Sequence, residues 1–367
     1  MSRVVIKPAW VLSSDSGDHF EPQLFRLLKA IHETGKLTEA VQRVGISYRH
    51  GWNLLAKWSA IFGSDVVDMR RGRGASLTAF GEKLLWAEQR TEASLFPQLE
   101  NIASELNAAM RKARQRTSPV LRLHASHGYA VEKLPELVHR HGNGDIDLRY
   151  VGSVEALAAL SRAECDLAGF HVPLGELGPS LWQDYAKWVK PRQQRVIRLV
   201  IRTQGLIVAK GNPRSIKSLQ DLTRKGIKFV NRQLGSGTRV LLDGLLRSAA
   251  VNHSRIQGYC SGEYTHAAVA AFVASGMADV GLGIEPAARQ FNLDFLPIIE
   301  ERYMLACSRS TLTRPAVIRL IELMKGPEFA HMLGKVAGYR LDEPGEVVEF
   351  GAVFPWLDRG PKQRATA

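Results

Sequence analysis

The strongest constraint on this chain is the grouping of its apolar residues from Val120 onward. Residues 120–125 read as a strand, and a helix starts at Ser126-His127-Gly128-Tyr129. Residues 148–151 form a second strand, after which Gly152-Ser153-Val154 opens a helix over 155–162. A third strand, 166–170, ends at His171. Strand followed by helix, repeated, implies a parallel sheet with helices on its faces and ligands beyond the carboxyl ends of the strands. Three such ends carry small or polar groups: Ser126, Ser153 and the turn 169–171.

A second unit of the same kind follows. Residues 196–209 hold two apolar stretches around Thr203-Gln204-Gly205, and 215–222 read as a short helix. The run 227–230 is a buried strand, Gly235-Ser236-Gly237-Thr238 turns, and 239–246 carries an apolar stripe at helical spacing. A helix start at that turn presents unpaired backbone N–H groups, the positive end of the dipole and two hydroxyls, which suits an anion. An ordinary capped helix fits the same residues. Gly262-Glu263-Tyr264-Thr265-His266 leads into a small-residue helix, 278–282 is a strand, 295–299 and 303–307 return toward the first unit, and 315–333 is helical. The layout predicts two lobes joined by two crossings.

Before Val120 the pattern is helical. Residues 20–34 place Phe20, Leu24, Leu27, Leu28 and Ile31 on one face and end at Gly35; a short helix over 36–44 ends at Gly45; a third starts near Ser47 and runs through Trp52, Leu55, Trp58 and Ile61. Three helices with a tight glycine turn outline a helix-turn-helix. Residues 66–69 and 75–78 then read as two strands around Arg70-Arg71-Gly72-Arg73-Gly74, a basic wing suited to phosphate or minor-groove contact. Arg49, His50, Asn53 and Lys57 are expected on the face of the third helix away from Trp52, Leu55 and Trp58. The stripe Leu95, Leu99, Ile102, Leu106, Met110 suits either a seam with a second subunit or packing on the chain's own domain, with a kink or a break at Pro97.

Length and composition bound the function. A chain of 367 residues with 45% apolar and 23% charged residues holds two or three folded units. The formal net charge of +13 fits a polyanion partner, and equally a soluble basic surface. Three widely spaced cysteines, without a C-x-x-C pair, argue against a disulfide framework or zinc module and fit a reducing cytoplasm. With no leader-like or membrane-spanning run, a cytoplasmic location is expected and no membrane partner.

Gly45-Ile46-Ser47-Tyr48 followed by Trp52, the Arg/Gly wing and Leu77-Thr78-Ala79-Phe80-Gly81 resemble the winged helix-turn-helix of ModE-type regulators, relatives of the LysR family. Gly-Ser-Gly-Thr-Arg at 235–239, Tyr264-Thr265-His266-Ala267-Ala268-Val269, the run 278–284 and Glu301-Arg302-Tyr303 resemble the PBP-like domain, of the type 2 periplasmic-binding-protein fold, that accompanies ModE-type helix-turn-helix or molybdopterin-biosynthesis domains. The small oxyanion-binding modules that follow the DNA domain in ModE itself are absent.

The resemblance implies an α/β protein with a winged helix-turn-helix at 1–80 and a linker and dimerisation helix at 81–117. A two-lobed PBP-like domain would follow at 118–341, with lobe one at 118–200 and 306–341 and lobe two at 201–305, then a tail at 342–367. It implies a transcription regulator without enzymatic activity, cofactor or metal. Its partners would be double-stranded DNA, a second copy as homodimer or homotetramer, and a small anionic effector. That effector would be an oxyanion such as molybdate or tungstate, or a small carboxylate. DNA would meet Ser47, Tyr48, Arg49, His50, Asn53, Lys57, Arg70, Arg71 and Arg73. Ligand would meet Ser126, His127, Ser153, His171, Gly235, Ser236, Gly237 and Thr238, with Arg239, Tyr264 and Tyr303 nearby. The alternative is a binding protein or enzyme handling a molybdenum-cofactor-type ligand. Histidines 124, 127, 171 and 266 could also converge near the cleft, though no paired spacing marks them as metal ligands. The basic stretch 182–202 suits a solvated surface, with added field over the cleft or a touch on DNA as the rival roles.

Overall fold

The computed structural model describes residues 4–11, 21–70, 74–113, 120–142 and 144–354. The chain divides into two compact units, Lys7–Leu95 and Phe96–Ala367 with Met1–Ile6. In the first, helices α1 (Pro22–Thr34), α2 (Leu37–Val44) and α3 (Tyr48–Phe62) are followed by β1 (Val67–Arg70), β2 (Gly74–Leu77) and the start of α4 (Ala79–Ala113). The turn between α2 and α3 is short because Gly45 takes the left-handed conformation and Ser47 then caps α3, accepting from the His50 N–H at 3.2 Å. Leu24, Leu27, Leu28, Ile31, Val41, Leu55 and Trp58 form the core, over which β1 and β2 make an antiparallel hairpin. This is a winged helix-turn-helix.

Helix α4 continues through Pro97 as a single helix, so the break that was one of the two expectations there does not occur. Proline removes one intrahelical donor. Tertiary bonds on the following turns hold the helix: Asn101 donates to the Tyr150 carbonyl at 2.9 Å and accepts the Tyr150 N–H at 2.7 Å, and Ser104 bonds Asp147. Ala103, Ser104 and Asn107 are buried on that face, while Ile102 and Leu106 are exposed on another.

The second unit comprises β3 (Val120–Ala125), α5 (Tyr129–Arg140), β4 (Asp145–Tyr150), α6 (Ser153–Ser161), β5 (Leu167–Pro173), α7 (Leu177–Ala186), β6 (Gln194–Val208), β7 (Phe229–Arg232), α8 (Gly237–Ser248), β8 (Gly262–Glu263), α9 (His266–Ala274), β9 (Val280–Ile284), α10 (Glu285–Gln290), β10 (Asp294–Ser308), α11 (Pro315–Lys325), α12 (Pro327–Gly334), β11 (Tyr339–Leu341), β12 (Val347–Val348) and α13 (Phe350–Val353). One strand path runs β4-β3-β5-β10-β6-β9-β7-β8. Strands β6 and β10 pair antiparallel along their length; β5 adds to one half of β10 and β9 to the far half of β6. The apolar pairs read as separate strands, around Thr203-Gln204-Gly205 and between 295 and 307, are therefore single fifteen-residue strands. Those two strands are the crossings between the lobes. A register shift near Pro297 accommodates the polar interruption.

Lobe one packs α5, α11 and α12 on one side of its sheet and α6, α7 and α13 on the other; lobe two packs α8 under β7 and β9. Residues 342–354 form part of lobe one. Strand β12 pairs with β6, and Phe350 and Phe354 stack around Phe170 and Trp182.

Candidate functional site

The carboxyl ends of β3, β4, β5 and β7 surround a cavity of about 570 Å3 between the lobes. Four helices begin at it. Its lining includes His127 ahead of α5, Gly152 capping α6, Ser236, Gly237 and Thr238 at the start of α8, and Tyr264 and His266 at the start of α9. Gly235, with φ of 80°, reverses the chain so that Ser236 can cap α8, its hydroxyl accepting the Arg239 N–H at 3.2 Å. Each helix start brings unpaired N–H groups and about half a positive charge to the same space.

Below these termini lies a buried charge cluster on the crossing strands. Arg202 and Glu301 stand opposite each other in the β6–β10 register and pair at 2.6 Å; Gln204 donates to the same carboxylate oxygen at 2.9 Å and to Thr238 Oγ1 at 3.2 Å. Burial opposes ionisation of Glu301, but Arg202 and Gln204 hold its carboxyl below the usual range. Arg232, at the end of β7, donates to Gln233 Oε1 and to the carbonyls of Glu263 and Tyr264, all uncharged acceptors. Burial, with Arg202 close by, pushes its guanidinium down to about 9, so it is still charged at neutral pH. Two buried cations against one buried carboxylate leave the cavity floor electropositive.

Three histidines complete the walls. Burial lowers His127 to about 3 and His171 to about 4, and His266 also lies well below its ordinary value, so all are neutral at pH 7. The hydroxyls of Ser126 and Ser153 each lie 3.3 Å from His171 Nδ1, and His171 Nε2 is 3.8 Å from Glu301. Serine, histidine and glutamate thus stand in the order of a nucleophilic triad. The histidine–carboxylate distance exceeds a hydrogen bond, and an imidazole that titrates near 4 is a poor base at neutral pH. The arrangement is better suited to holding a ligand than to activating a nucleophile.

Ser126, His127, His171, Gly235, Ser236, Gly237, Thr238 and Tyr264 line the cavity. Ser153 and Tyr303 do not: Ser153 supports His171, and the Tyr303 hydroxyl donates to the Ser126 carbonyl at 2.6 Å while its ring lies beneath Arg202. Arg239, expected near the ligand, turns away. It bonds Asp243 at 3.2 Å and the Tyr259 carbonyl at 3.1 Å and stacks on the Tyr259 ring. His124 lies outside the lining, and among the described residues no three or more His, Cys, Asp or Glu side chains are grouped as metal ligands. Sequence reading passed over Arg232, Gln204 and Glu301. Within the basic stretch 182–202, Trp188 and Arg202 line the cavity, whereas Arg195 pairs with Glu349 and Arg198 with Asp342 and Glu346.

In the helix-turn-helix unit, Tyr48, Arg49, His50, Asn53 and Lys57 are all exposed on α3. His50 is tied to Gln23 at 2.9 Å and Lys57 to Glu21 at 2.6 Å, leaving Arg49 and Asn53 as the polar side chains at the front of the helix. Trp52, expected to face inward, is 47% exposed and stacks on Tyr48; the inward position is taken by Gly51, which sits against Val41. Arg71 and Arg73 lie outside the described residues, and of Arg70 only the backbone, paired with Gly74, is described.

Two lobes on two crossing strands, with helix termini turned onto the cleft between them, define a ligand-binding domain of the periplasmic-binding-protein kind. Residues 134–325, more than half of the chain, match the model of the PBP superfamily domain, PBP_like, and the chain belongs to that superfamily. It is 33% identical over 204 residues to the uncharacterized protein YvgK of Bacillus subtilis (strain 168), covering 54% of this chain and 64% of that one. It is 34% identical over 110 residues to an uncharacterized protein in the ferredoxin 2Fe-2S gene 5' region of Clostridium pasteurianum, covering 30% of this chain and 97% of that one. With the molybdenum-pterin-binding protein MopB of Rhodobacter capsulatus it shares 31% identity over 101 residues, 26% of this chain and 37% of MopB. The chain thus spans less than two thirds of YvgK and of MopB. Among solved structures, a hydrogen peroxide-bound OxyR mutant of Corynebacterium glutamicum is similar at 16% identity and a TM-score of 0.45, over 86% of this chain and 94% of that one. CbnR, a LysR family transcriptional regulator, is similar at 16% identity and a TM-score of 0.38, over 83% and 99%. These structural likenesses are too distant to specify a ligand or an activity. No helix among the described residues is long and apolar enough to cross a membrane.

Proposed function

We propose that this protein is a cytoplasmic transcription regulator that binds double-stranded DNA through its winged helix-turn-helix and senses a small anion between the lobes of its PBP-like domain. The observation that carries the reading is the convergence of four helix N-termini and two buried arginines on one cavity. An anion there gains the field of the helix dipoles and the charge of Arg232. Molybdate, tungstate and small carboxylates share the charge this site requires, and the name of MopB, a molybdenum-pterin-binding protein, supports keeping molybdenum among the ligands tested. The exposed α4 residues Ile102 and Leu106 suit pairing with a second copy, which would supply the two-fold symmetry that paired half-sites need. Regulation requires the ligand to favour one lobe arrangement over another.

The second reading is a binding protein or enzyme handling a molybdenum-cofactor-type ligand, with DNA binding secondary; the serine, histidine and glutamate around His171 are the groups an enzyme would have to use. The test is a thermal-shift panel of molybdate, tungstate, sulfate, formate and acetate on the full chain, followed by mobility shift of duplex DNA with and without the stabilising anion. At least one anion should raise the melting temperature by several degrees at saturating concentration and change the DNA shift. Absence of any stabilisation, or turnover of a bound compound, would count against the sensor.

A further inference from the structure

We infer that the occupant of the inter-lobe cavity is an organic anion built on a flat ring that carries hydrogen-bond donors as well as acceptors, a heteroaromatic acid rather than a bare oxyanion. The inference rests on the anion-binding reading above and narrows it.

Size comes first. A water molecule occupies about 30 Å3 in the liquid, so a cavity of about 570 Å3 has room for on the order of twenty waters. A tetrahedral oxyanion seated on the α8 terminus would leave most of that space to solvent. The volume falls within the range of roughly 300–1,000 Å3 that houses compact organic ligands.

The walls come second. Tyr150, Trp188 and Tyr264 line the space with Val151, Val154 and Leu234. Flat aromatic and aliphatic surfaces of this kind do nothing for a small hydrated anion, but they are suited to the face or edge of a ring. Leu234 is 81% exposed, an apolar side chain at the cavity mouth that a bound ring would help to cover.

Hydrogen-bond polarity comes third. Trp188 Nε1, His127 Nδ1 and both ring nitrogens of His266 are buried without a partner, and all three residues line the cavity. A neutral imidazole offers one N–H and one lone pair. A fully ionised oxyanion can only accept, so wherever it sits it leaves the lone pairs of these rings unmatched. A ring compound with both N–H and carbonyl or ring-nitrogen groups satisfies both, with its acid group on Arg232 and the α8 terminus.

The test is calorimetric titration of the full-length protein with molybdate, benzoate, orotate and pterin-6-carboxylate. Benzoate has the ring and the charge but no ring donors; the last two have all three. The tighter of the two heteroaromatic acids should bind at least about tenfold more strongly than benzoate or molybdate, since a site built to hydrogen-bond its ligand rejects the analogue that lacks those groups. Trp188→Phe keeps a ring in the wall and removes only the N–H. It should weaken the heteroaromatic acid by about fivefold or more and leave any molybdate binding within about twofold. Molybdate as the tightest of the four, or a Trp188→Phe loss shared equally by molybdate, overturns this inference and leaves the anion sensor standing. Benzoate equal to the heteroaromatic acids overturns it as well. No binding by any of the four removes both readings.

Discussion

Gly237, the first residue of α8 in lobe two, lies against the imidazole of His171 in lobe one so closely that a Cβ on it would overlap Nε2. Gly152 and the Gly235 carbonyl approach each other in the same way, with a Cβ at Gly152 falling 3.0 Å from that oxygen. The lobes therefore meet through positions where a side chain is excluded. We predict that Gly237→Ala, at a helix start where alanine is otherwise well tolerated, forces the lobes apart and weakens anion binding by about tenfold, at an overpacking cost of about 1–3 kcal/mol. Calorimetric titration of the variant checks it, and unchanged affinity would show that binding does not use this close approach.

The Arg202–Glu301 pair predicts a stability effect. Glu301→Gln keeps the shape of the side chain and leaves the Arg202 charge uncompensated in a site where both residues are almost fully buried. Breaking a buried pair by neutralising one partner costs about 3–5 kcal/mol. Chemical denaturation of the full chain should show a loss of that size. A loss under about 1 kcal/mol would mean that water reaches the pair.

Neutral burial of the histidines predicts acid lability. The unfolded chain protonates its histidines near pH 6.5, whereas folded His127 and His171 resist protonation until about 3 and 4. Their contribution is present above pH 6.5 and is lost as the pH falls below it, because only the unfolded state takes up the protons. At pH 5.5 the two together should cost about 3 kcal/mol, with His266 acting in the same direction. Melting curves at about pH 7.5 and 5.5 read this directly. A melting temperature that holds steady or rises on acidification would contradict it.

For the DNA head, Arg49→Ala and Asn53→Ala should weaken binding to duplex DNA, each by about 1–3 kcal/mol if the side chain reads a base edge. Lys57→Ala and His50→Ala should do less, because these side chains already have partners in Glu21 and Gln23. Replacing Arg70, Arg71 and Arg73 together should flatten the salt dependence by about one unit of slope for each phosphate that the variant no longer neutralises. Fluorescence anisotropy across a salt series separates these effects, and equal losses for all single variants would remove α3 from the base-reading role.

The exposed face of α4 predicts an assembly. Ile102→Glu with Leu106→Glu should convert a dimer into a monomer in analytical ultracentrifugation, with little change in melting behaviour because both side chains are already exposed. A protein that remains dimeric pairs through another face.

Much of this architecture was legible because it is written in short-range patterns. Helix spacing, Gly45 with Ser47, and the alternation after Val120 each specify local structure within a few residues, and Gly235 to Thr238 announced the helix terminus that the cavity uses. The charge cluster was not legible in the same way. Arg202 and Glu301 are 99 positions apart and become neighbours only through the β6–β10 register, so Arg202 read as one more cation of a basic surface. Arg239 misled for the opposite reason. It follows Thr238 directly, but a helix turns about 100° per residue, which carries the guanidinium off the cleft onto Tyr259. Trp52 reads as inward because its spacing joins it to Leu55, Trp58 and Ile61, whereas the close approach of α2 to α3 leaves room there only for Gly51.

Asn101 grips both backbone groups of Tyr150 from α4, and Gln98 on the same helix faces the cavity directly. A helix with its side chains is about 10–12 Å across. If two copies pair through Ile102 and Leu106, a single helix thickness separates each cavity from the seam. Any coupling across that helix would show in the shape of the response: positive coupling would narrow the effector range below that of two independent sites, and negative coupling would broaden it.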